Sequence, residues 1–265
     1  MTQPGSQART IAVTSGKGGV GKTCLTANLA WTLARAGRRV LVVDADLGLA
    51  NLDIVLNINP TATLHDVLFG ACALDRAIVS APGGLHILAA ASGVAEYARM
   101  TTDVREQFPA LIRTLESRYD YVFFDTGAGI SDVVLYTTSL AQDVIVVATP
   151  EPTSMADAYA TIKVLSATQQ RQRFTLVVNQ APNAQQAQFV LTQLQAVVAR
   201  FLSAPGRPPI ELAYLGSVPD DPTMARAICQ RTLLMDSSPA SPAAKAIQTL
   251  AERLESPRAT SARAA

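Results

Sequence analysis

The chain is organised around the glycine-rich stretch Gly16-Lys17-Gly18-Gly19-Val20-Gly21-Lys22-Thr23. The apolar run Ile11-Ala12-Val13 precedes it, and a segment of apolar and small residues from Leu25 to Ala30 follows it. This order predicts a strand, a phosphate loop and a helix. Glycines let successive backbone N–H groups converge on phosphate oxygens at a helix N-terminus, where anions are already stabilised.

Two side chains complete this predicted nucleotide site. Lys22 can reach the β- and γ-phosphates, and the Thr23 hydroxyl can bind Mg²⁺. A flexible glycine turn before a core helix is the alternative, but that structure requires neither the Lys-Thr pair nor the preceding strand. The residues expected to contact the nucleotide here are Gly16, Gly18, Gly19, Val20, Gly21, Lys22, Thr23 and Cys24.

Composition indicates one α/β domain with a large core. The chain has 265 residues, of which 49% are hydrophobic, and we find no composition break that would divide it. Only 16% of the residues are charged and the formal net charge is +1. This balance lacks the broad basic field of a nucleic-acid binder, so no nucleic-acid partner is expected.

The three cysteines, Cys24, Cys72 and Cys229, are odd in number and far apart. Their spacing fits neither a disulfide framework nor a C-x-x-C metal site. We expect them to be reduced, buried and apolar in behaviour.

The polar residues 1–9 lack the apolar core and cleavage pattern of a signal peptide. No uninterrupted apolar segment approaches the roughly 18 residues that a membrane span needs. We therefore expect a cytoplasmic location, with membrane contact that is at most peripheral.

Two further apolar runs end in aspartates. Val40 to Val43 leads to Asp44 and Asp46, and Tyr121 to Phe124 leads to Asp125. Carboxylates at the carboxyl ends of parallel strands lie beside a phosphate loop, because open α/β sheets bind their ligands there. Asp125 is expected to hold Mg²⁺ through water, although a strand that ends in a capping aspartate is the alternative. Either of Asp44 and Asp46 could instead cap the following turn.

The loop G-K-G-G-V-G-K-T resembles the deviant Walker A loop of the MinD/ParA family of dimerising ATPases. The resemblance implies that Lys17 reaches across a dimer interface to the partner's nucleotide; a solvated surface lysine is the alternative. The segment Asp44 to Asp53 also resembles this family. It implies that Asp46 acts near Mg²⁺ and the attacking water, whereas for Asp44 catalysis and capping remain open. Together, the resemblance and the residues assign catalytic roles to Lys17, Lys22, Asp46 and Asp125, and metal contacts to Thr23, Asp46 and Asp125.

Adenine contacts follow from the same resemblance. Asn179, at the end of the predicted strand 174–179, is similar to the family's adenine-contacting asparagine. Pro219 and Asp221 would border the base, although turn formation explains a proline and an aspartate there equally well. The sequence contains no N-K-x-D element that would read guanine.

Three segments resemble the flagellar branch of the family, the FlhG and FleN regulators: Thr63 to Leu68, Ala90 to Gly93 and Glu151 to Tyr159. This branch implies an FlhF-type GTPase, a flagellar transcription activator or a basal-body protein as partner. Two features depart from it. Residues 1–9 lack a D-Q-A-x-x-L-R segment, and Ser256 to Ala265 contains no aromatic or large aliphatic residue of a membrane-targeting helix.

Other patterns predict the surrounding elements. Apolar spacing predicts helices over 103–118, 185–202 and 243–254. Thr153 or Ser154 is a candidate N-cap, with Asp157 in the first turn of the following helix. Gly127 and Gly129 would let the segment after Asp125 respond to the γ-phosphate. The isolated His65 and His86 are expected to be solvated or hydrogen-bonded rather than metal ligands.

The sequence thus predicts a doubly wound α/β fold with a mostly parallel sheet of seven or eight strands. Residues 10–255 would form the ATPase domain, flanked by flexible segments at 1–9 and 256–265. The expected activity is slow, Mg²⁺-dependent hydrolysis of ATP to ADP and phosphate, by a homodimer with ATP that is a monomer with ADP. The resemblance implies control of flagellar number or placement.

Three other functions are alternatives to that role. The first is a MinD-like or ParA-like positioning ATPase for cell division or cargo. The second is a nucleotide-gated binding regulator whose hydrolysis is incidental. The third, an iron–sulfur carrier of the same superfamily, lacks the paired cysteines that it would need.

Overall fold

The computed structural model describes residues 7–48, 50–91, 102–202 and 208–256. These residues form one sheet of eight strands with helices on both faces. The strands are β1 (Arg9–Ser15), β2 (Val40–Ala45), β3 (Ile78–Ser80), β4 (His86–Leu88), β5 (Tyr121–Ala128), β6 (Asp143–Ala148), β7 (Arg173–Ala181) and β8 (Glu211–Pro219).

The helices of the described residues are α1 (Lys22–Arg35), α2 (Leu52–Leu56), α3 (Leu64–Leu68), α4 (Leu74–Ala77), α5 (Thr102–Glu116), α6 (Asp132–Leu140), α7 (Pro152–Gln169), α8 (Ala184–Leu202), α9 (Pro222–Cys229), α10 (Leu234–Ser237) and α11 (Pro242–Glu255). None of the helices in the described part of the chain combines the length and apolar character needed to cross a membrane.

The strand order is β3-β4-β2-β5-β1-β6-β7-β8. All neighbouring strands are parallel except β3 and β4, which are antiparallel. β1 lies near the middle, between β5 and β6, and the loop that follows it therefore opens at the central carboxyl edge. Open α/β sheets bind ligands at this position. The mostly parallel sheet of eight strands with helices on both faces confirms the predicted fold class.

The core consists of two layers, one on each face of the sheet. Adjacent residues of a strand point to opposite faces, so that Phe123 packs in one layer and Phe124 in the other. Helices α1 and α11 cover the first face, and α11 buries Ile247 and Leu250 there. The helix predicted over 243–254 is confirmed as α11, and its apolar face packs in the core.

Ion pairs lie along the amino edge of the sheet, away from the loop after β1. Arg9 at the start of β1 contacts Asp143 at 2.7 Å, and Arg173 contacts Glu211 at 2.9 Å. Ala8, directly before β1, is buried and its N–H donates to the carbonyl of Glu116 at 3.0 Å. The packed part of the chain therefore begins before residue 10, where the sequence placed the domain boundary.

The start of α7 differs from the prediction. Pro152 is the first helical residue and Glu151 is the N-cap, without a side-chain capping bond. Neither Thr153 nor Ser154 is the N-cap, and Asp157 lies beyond the first turn. The reason is that proline favours the first helical position, where its fixed φ suits the helix and no N–H is needed. Ser154 Oγ instead accepts a hydrogen bond from the N–H of Thr149 at 2.9 Å.

The prediction of buried cysteines is wrong. Cys229 is exposed at the end of α9, and Cys24 and Cys72 are partly exposed. Burial of the thiol nevertheless raises the pKa of Cys24 to about 11. The Cys24 thiol therefore stays protonated at neutral pH, in contrast to the thiolate that a metal site requires.

The two histidines have different surroundings. His65 is buried in α3 and stacks on Phe69, with ring centroids 6.4 Å apart. His86 Nδ1 lies 2.8 Å from the hydroxyl of Tyr119, as expected for a hydrogen-bonded histidine. Among the described residues, no group of three or more histidine, cysteine or acidic side chains is placed to hold a metal ion.

Candidate functional site

Two glycines of the loop after β1 stand where no other residue fits. A Cβ at Gly16 would lie 2.2 Å from the carbonyl oxygen of Asp157 in α7. Gly21 caps α1 with φ of 87°, and a Cβ there would lie 2.4 Å from Asn179 Nδ2. Asn179 Nδ2 also donates to the carbonyl of Val20 at 2.8 Å. The loop is thus held closely between α7 and the end of β7, with its backbone at the N-terminus of α1.

Lys22 is the first residue of α1 and is buried. Its Nζ donates to Ser15 Oγ at 2.9 Å. Burial lowers the pKa of Lys22, while the negative charges of Asp125 and Asp46 raise it. The arrangement holds an ammonium group at the loop, next to two carboxylates, where it could contact phosphate oxygens.

Ser15 connects several parts of the site, and the sequence analysis did not single it out. Its Oγ donates to the carbonyl of Lys17 at 2.7 Å, and its own carbonyl accepts from the N–H of Gly129 at 2.8 Å. Ser15 therefore joins both loop lysines to the segment after β5. Its position as the last residue of β1, directly before Gly16, is the only signal for it in the sequence.

Asp125 lies near the end of β5, beside Val13 of β1 and Asp44 of β2 in the sheet register. Its carboxylate accepts hydrogen bonds from the hydroxyls of Thr23 and Thr26, the latter at 3.4 Å. Burial raises the pKa of Asp125 to about 6, against the lowering effects of Thr23 and Lys22.

Asp44 is 1% exposed, and burial together with the nearby charge of Asp125 raises its pKa to about 8. Its Oδ1 accepts from the N–H of Asp46 at 3.1 Å. Its Oδ2 accepts from the N–H groups of Asn51 and Leu52 at 3.3 and 3.2 Å. Of the two roles left open for Asp44, these contacts favour capping.

Asp46 has a different environment. It is only partly buried, and a Cβ on Gly127 would lie 3.3 Å from Asp46 Cγ. Its carboxylate thus lies against the segment that follows Asp125, close enough for its charge to affect Lys22 and Asp125. Asp46, Asp125 and Thr23 together offer oxygen ligands at one edge of the sheet.

These donors fit Mg²⁺. The ion prefers oxygen ligands and is usually bound through one or two carboxylates together with substrate phosphates, rather than by an all-protein cage. Burial raises the pKa of Asp125 because it disfavours the charged carboxylate. A bound divalent cation would stabilise that charged form.

A cleft adjoins the loop on the β7 and β8 side. The residues predicted to contact adenine meet part of the loop and of α9 in this cleft. Its lining includes Gly21, Cys24, Asn179, Pro219, Asp221 and Met224. The cleft opens beside the N-terminus of α1, so a base placed there would lie next to phosphates on the loop.

Asp221 also has a structural role. Its Oδ1 accepts from the N–H and hydroxyl of Thr223 at 2.9 and 2.6 Å, and its Oδ2 accepts from the N–H of Ala243 at 3.0 Å. The carboxylate thus caps α9 and holds the start of α11. The position of Asp221 is compatible with both predicted roles, bordering the base and forming the turn, because it lines the cleft and stabilises the turn.

Lys17 lies at the carboxyl edge of the sheet as well, but outside the group formed by Lys22, Asp46 and Asp125. Its ammonium pairs with the carboxylate of Glu151 and donates to Thr153 Oγ1 at 3.1 Å. Both acceptors belong to the start of α7. Neither was predicted as a partner of Lys17, because nothing in the sequence indicates that the two loops meet.

The family model described as ParA, NUBPL iron-transfer P-loop NTPase, matches residues 6–255. The chain belongs to the ParA/MinD family of P-loop NTPases. Its glycine-rich loop is therefore a P-loop, and the chain is an ATPase of the MinD/ParA type.

Curated relatives include flagellar proteins of this family. The antiactivator FleN of Pseudomonas aeruginosa is 37% identical over 97% of this chain and 90% of its own length. The flagellum site-determining protein YlxH of Helicobacter pylori is 32% identical over 86% of this chain and 76% of its own length.

Solved structures confirm the fold. The cell division ATPase MinD of Pyrococcus furiosus has a TM-score of 0.77 and 27% identity, covering 94% of this chain and 98% of its own. MinD of Pyrococcus horikoshii, complexed with Mg-ADP, has a TM-score of 0.76 and 28% identity, covering 94% and 96%.

Proposed function

We propose that this chain is an ATP-dependent switch that regulates flagellar number or placement, monomeric with ADP and dimeric with ATP. The observation that carries the flagellar role is the likeness to FleN along almost the full length of both chains. YlxH, a second flagellar relative, supports the same role. The P-loop ATPase site supplies the nucleotide dependence.

The proposed chemistry is positioning and charge neutralisation around an in-line attack of water on the γ-phosphate. The N–H groups from Gly16 to Cys24 and the Lys22 ammonium would bind the phosphates. Thr23, Asp125 and Asp46 would hold Mg²⁺, which supplies neutralisation of the phosphate charge when bound. Asp46 is the proposed catalytic carboxylate, since it is more accessible than Asp44, the other aspartate at the end of β2.

The base would lie in the cleft beside the P-loop. Asn179 uses one of its two Nδ2–H donors on the carbonyl of Val20, and its Oδ1 can act as an acceptor. An acceptor suits the exocyclic amine of adenine. Pro219 and Asp221 would border the base, consistent with their place in the cleft lining.

Dimerisation is proposed to use Lys17. Its side chain is 37% exposed at the carboxyl edge, where a second subunit could face it across two nucleotides. A lysine ammonium there would compensate the charge of the partner's triphosphate. Association would then depend on ATP, because only the γ-phosphate places that charge at the interface.

The relative's description as an antiactivator favours a flagellar transcription activator as partner. An FlhF-type GTPase and a basal-body protein are the other proposed partners. A nucleic-acid partner is not proposed. The cytoplasmic location and a peripheral membrane contact remain predictions.

Complementation tests the flagellar role. The gene for this chain is expressed in a FleN-deficient Pseudomonas aeruginosa strain, and flagella per cell are counted by electron microscopy. Restoration of the wild-type number by the native chain, but not by Lys22→Ala at equal protein level, would support the proposal. A count unchanged from the deficient strain, with the protein folded and hydrolysing ATP, would reject the flagellar role and leave the ATPase intact.

A division-site role is the second candidate. The septum site-determining protein MinD of Synechocystis is 35% identical over 93% of this chain and 89% of its own length. The same expression experiment in a MinD-deficient Synechocystis strain, scored by the position of division septa, distinguishes the two. Septum rescue without flagellar rescue would favour this candidate.

A further inference from the structure

Asp44 has no exposed surface through which it could reach a nucleotide, yet it lies at the centre of the site. Its side chain is 1% exposed, near the end of β2 and beside Asp125 of β5 in the register. Both carboxylate oxygens already accept backbone hydrogen bonds. A direct role as a nucleotide or solvent contact is therefore disfavoured by geometry.

The three donors to Asp44 belong to the backbone that follows it. One is the N–H of Asp46, and the other two are the N–H groups of Asn51 and Leu52 at the start of α2. Asn51, the N-cap residue of α2, makes no side-chain capping bond of its own. The carboxylate of Asp44 thus ties both ends of this connection to the sheet.

Holding this backbone matters because of where Asp46 lies. The Asp46 carboxylate packs against Gly127, in the segment after the Mg²⁺-site residue Asp125. A main chain that pivots at Asp46 would move this carboxylate away from Gly127. A displacement of a catalytic group by about 1 Å lowers the reaction rate by up to about 100-fold.

We propose that Asp44 is a positioning residue for ATP hydrolysis, whose carboxylate fixes the backbone of Asp46 and of the start of α2 so that Asp46 faces the γ-phosphate. This inference rests on the proposed role of Asp46. It assigns different tasks to Asp44 and Asp46, since the first fixes the backbone and the second acts on the reaction.

The test compares single-turnover ATP hydrolysis and ATP affinity in variants at position 44. Asp44→Ala removes all three backbone contacts and should lower the rate about 10- to 100-fold, with ATP affinity within about threefold of wild type. Asp44→Asn keeps one acceptor oxygen and should recover part of the rate. It also serves as the working variant if Asp44→Ala does not fold.

Asp66→Ala is the matched control. Asp66 Oδ2 likewise accepts a backbone N–H bond, from Thr63 at 2.7 Å, but in α3 rather than beside the P-loop. Asp66→Ala should lower the melting temperature without changing the hydrolysis rate. An equal loss of rate in this control would mean that the Asp44 effect is general destabilisation, and would overturn the proposal.

A double-mutant cycle with Asp46→Ala identifies the route of the effect. If Asp44 acts through Asp46, then Asp44→Ala or Asp44→Asn should change the residual rate of Asp46→Ala by less than about twofold. The same fold-loss in both backgrounds would overturn the positioning role while leaving the role of Asp46 standing. Wild-type turnover by Asp46→Ala would instead reject the proposed role of Asp46 itself.

Discussion

Lys17 forms an ion pair with Glu151 of its own chain, and its ammonium also donates to Thr153 Oγ1 at 3.1 Å. The side chains of Lys17 and Glu151 are 37% and 59% exposed. Ion pairs this exposed contribute at most about 1 kcal/mol. The start of α7 therefore holds Lys17 weakly, and a facing triphosphate with its larger charge could replace Glu151 as the acceptor.

Replacing Glu151 tests that exchange. Glu151→Gln removes the competing charge and should tighten ATP-dependent dimerisation by up to about fivefold per subunit, the equivalent of about 1 kcal/mol. Sedimentation across a concentration series gives the dissociation constant, with Glu211→Gln, an exposed acid at the opposite edge, as control. Weaker dimerisation in Glu151→Gln alone would show that this carboxylate serves the dimer itself.

Removing the P-loop lysine should prevent tight ATP binding. The charge-assisted hydrogen bonds that Lys22 would make contribute about 1.5–3 kcal/mol, so Lys22→Ala should weaken ATP binding about 10- to 100-fold. Calorimetric titration measures the affinity. Lys245→Ala, an exposed lysine on α11, is the control. Near wild-type affinity in Lys22→Ala would contradict the assignment of this ammonium to the phosphates.

The catalytic role of Asp46 predicts a separation of binding from hydrolysis. Asp46→Ala should bind ATP normally and lose about 100-fold in turnover, since a positioned acid or base contributes about that much. Phosphate release and calorimetry on the same preparation measure the two properties. Normal turnover would reduce Asp46 to a structural residue.

The contribution of Asp221 to the free energy of unfolding should depend on pH. Its bonds to Thr223 and to the N–H of Ala243 lower the pKa of this carboxyl below the ordinary 3.8. The stabilisation is therefore present above the unfolded-state pKa and lost as pH falls through the folded-state value. Asp221→Asn should be less stable by about 1 kcal/mol at pH 7, and the difference should shrink toward pH 3.

Urea unfolding at a series of pH values measures this effect. Asp220→Asn, the exposed neighbour, is the control and should track wild type. A difference that stays constant from pH 7 to pH 3 would mean that the hydrogen-bond geometry of Asp221, rather than its charge, provides the stability.

Strong local patterns made most of the fold predictable. The apolar runs that lead to Asp44 and Asp125 form β2 and β5, and the P-loop lies before α1, as the sequence predicts. Helix α6 was missed because Asp132–Leu140 is rich in β-branched residues and has no clear apolar stripe. The Ser131 cap, which accepts from the N–H of Val134 at 3.4 Å, was its one local signal.

The site was less predictable wherever it depends on contacts between distant segments. The P-loop positions follow from local spacing, but the Ser15–Lys22 contact and the Lys17–Glu151 pair depend on how loops meet after folding. The capping role of Asp44 could not be separated from catalysis, because both functions use a carboxylate at a strand end. Only the backbone donors around it distinguish the two.

ATP-dependent association through Lys17 is the central claim, and its most direct test is the mass of the protein in solution. Light scattering coupled to size exclusion is run with ATP on Asp46→Ala, which keeps ATP intact, with and without Lys17→Ala. Asp46→Ala should be a dimer with ATP and a monomer with ADP, whereas the double variant should bind ATP and remain a monomer, since two facing triphosphates would lack a compensating cation. Equal dimer fractions in the two proteins would contradict the role of Lys17 and the switch built on it.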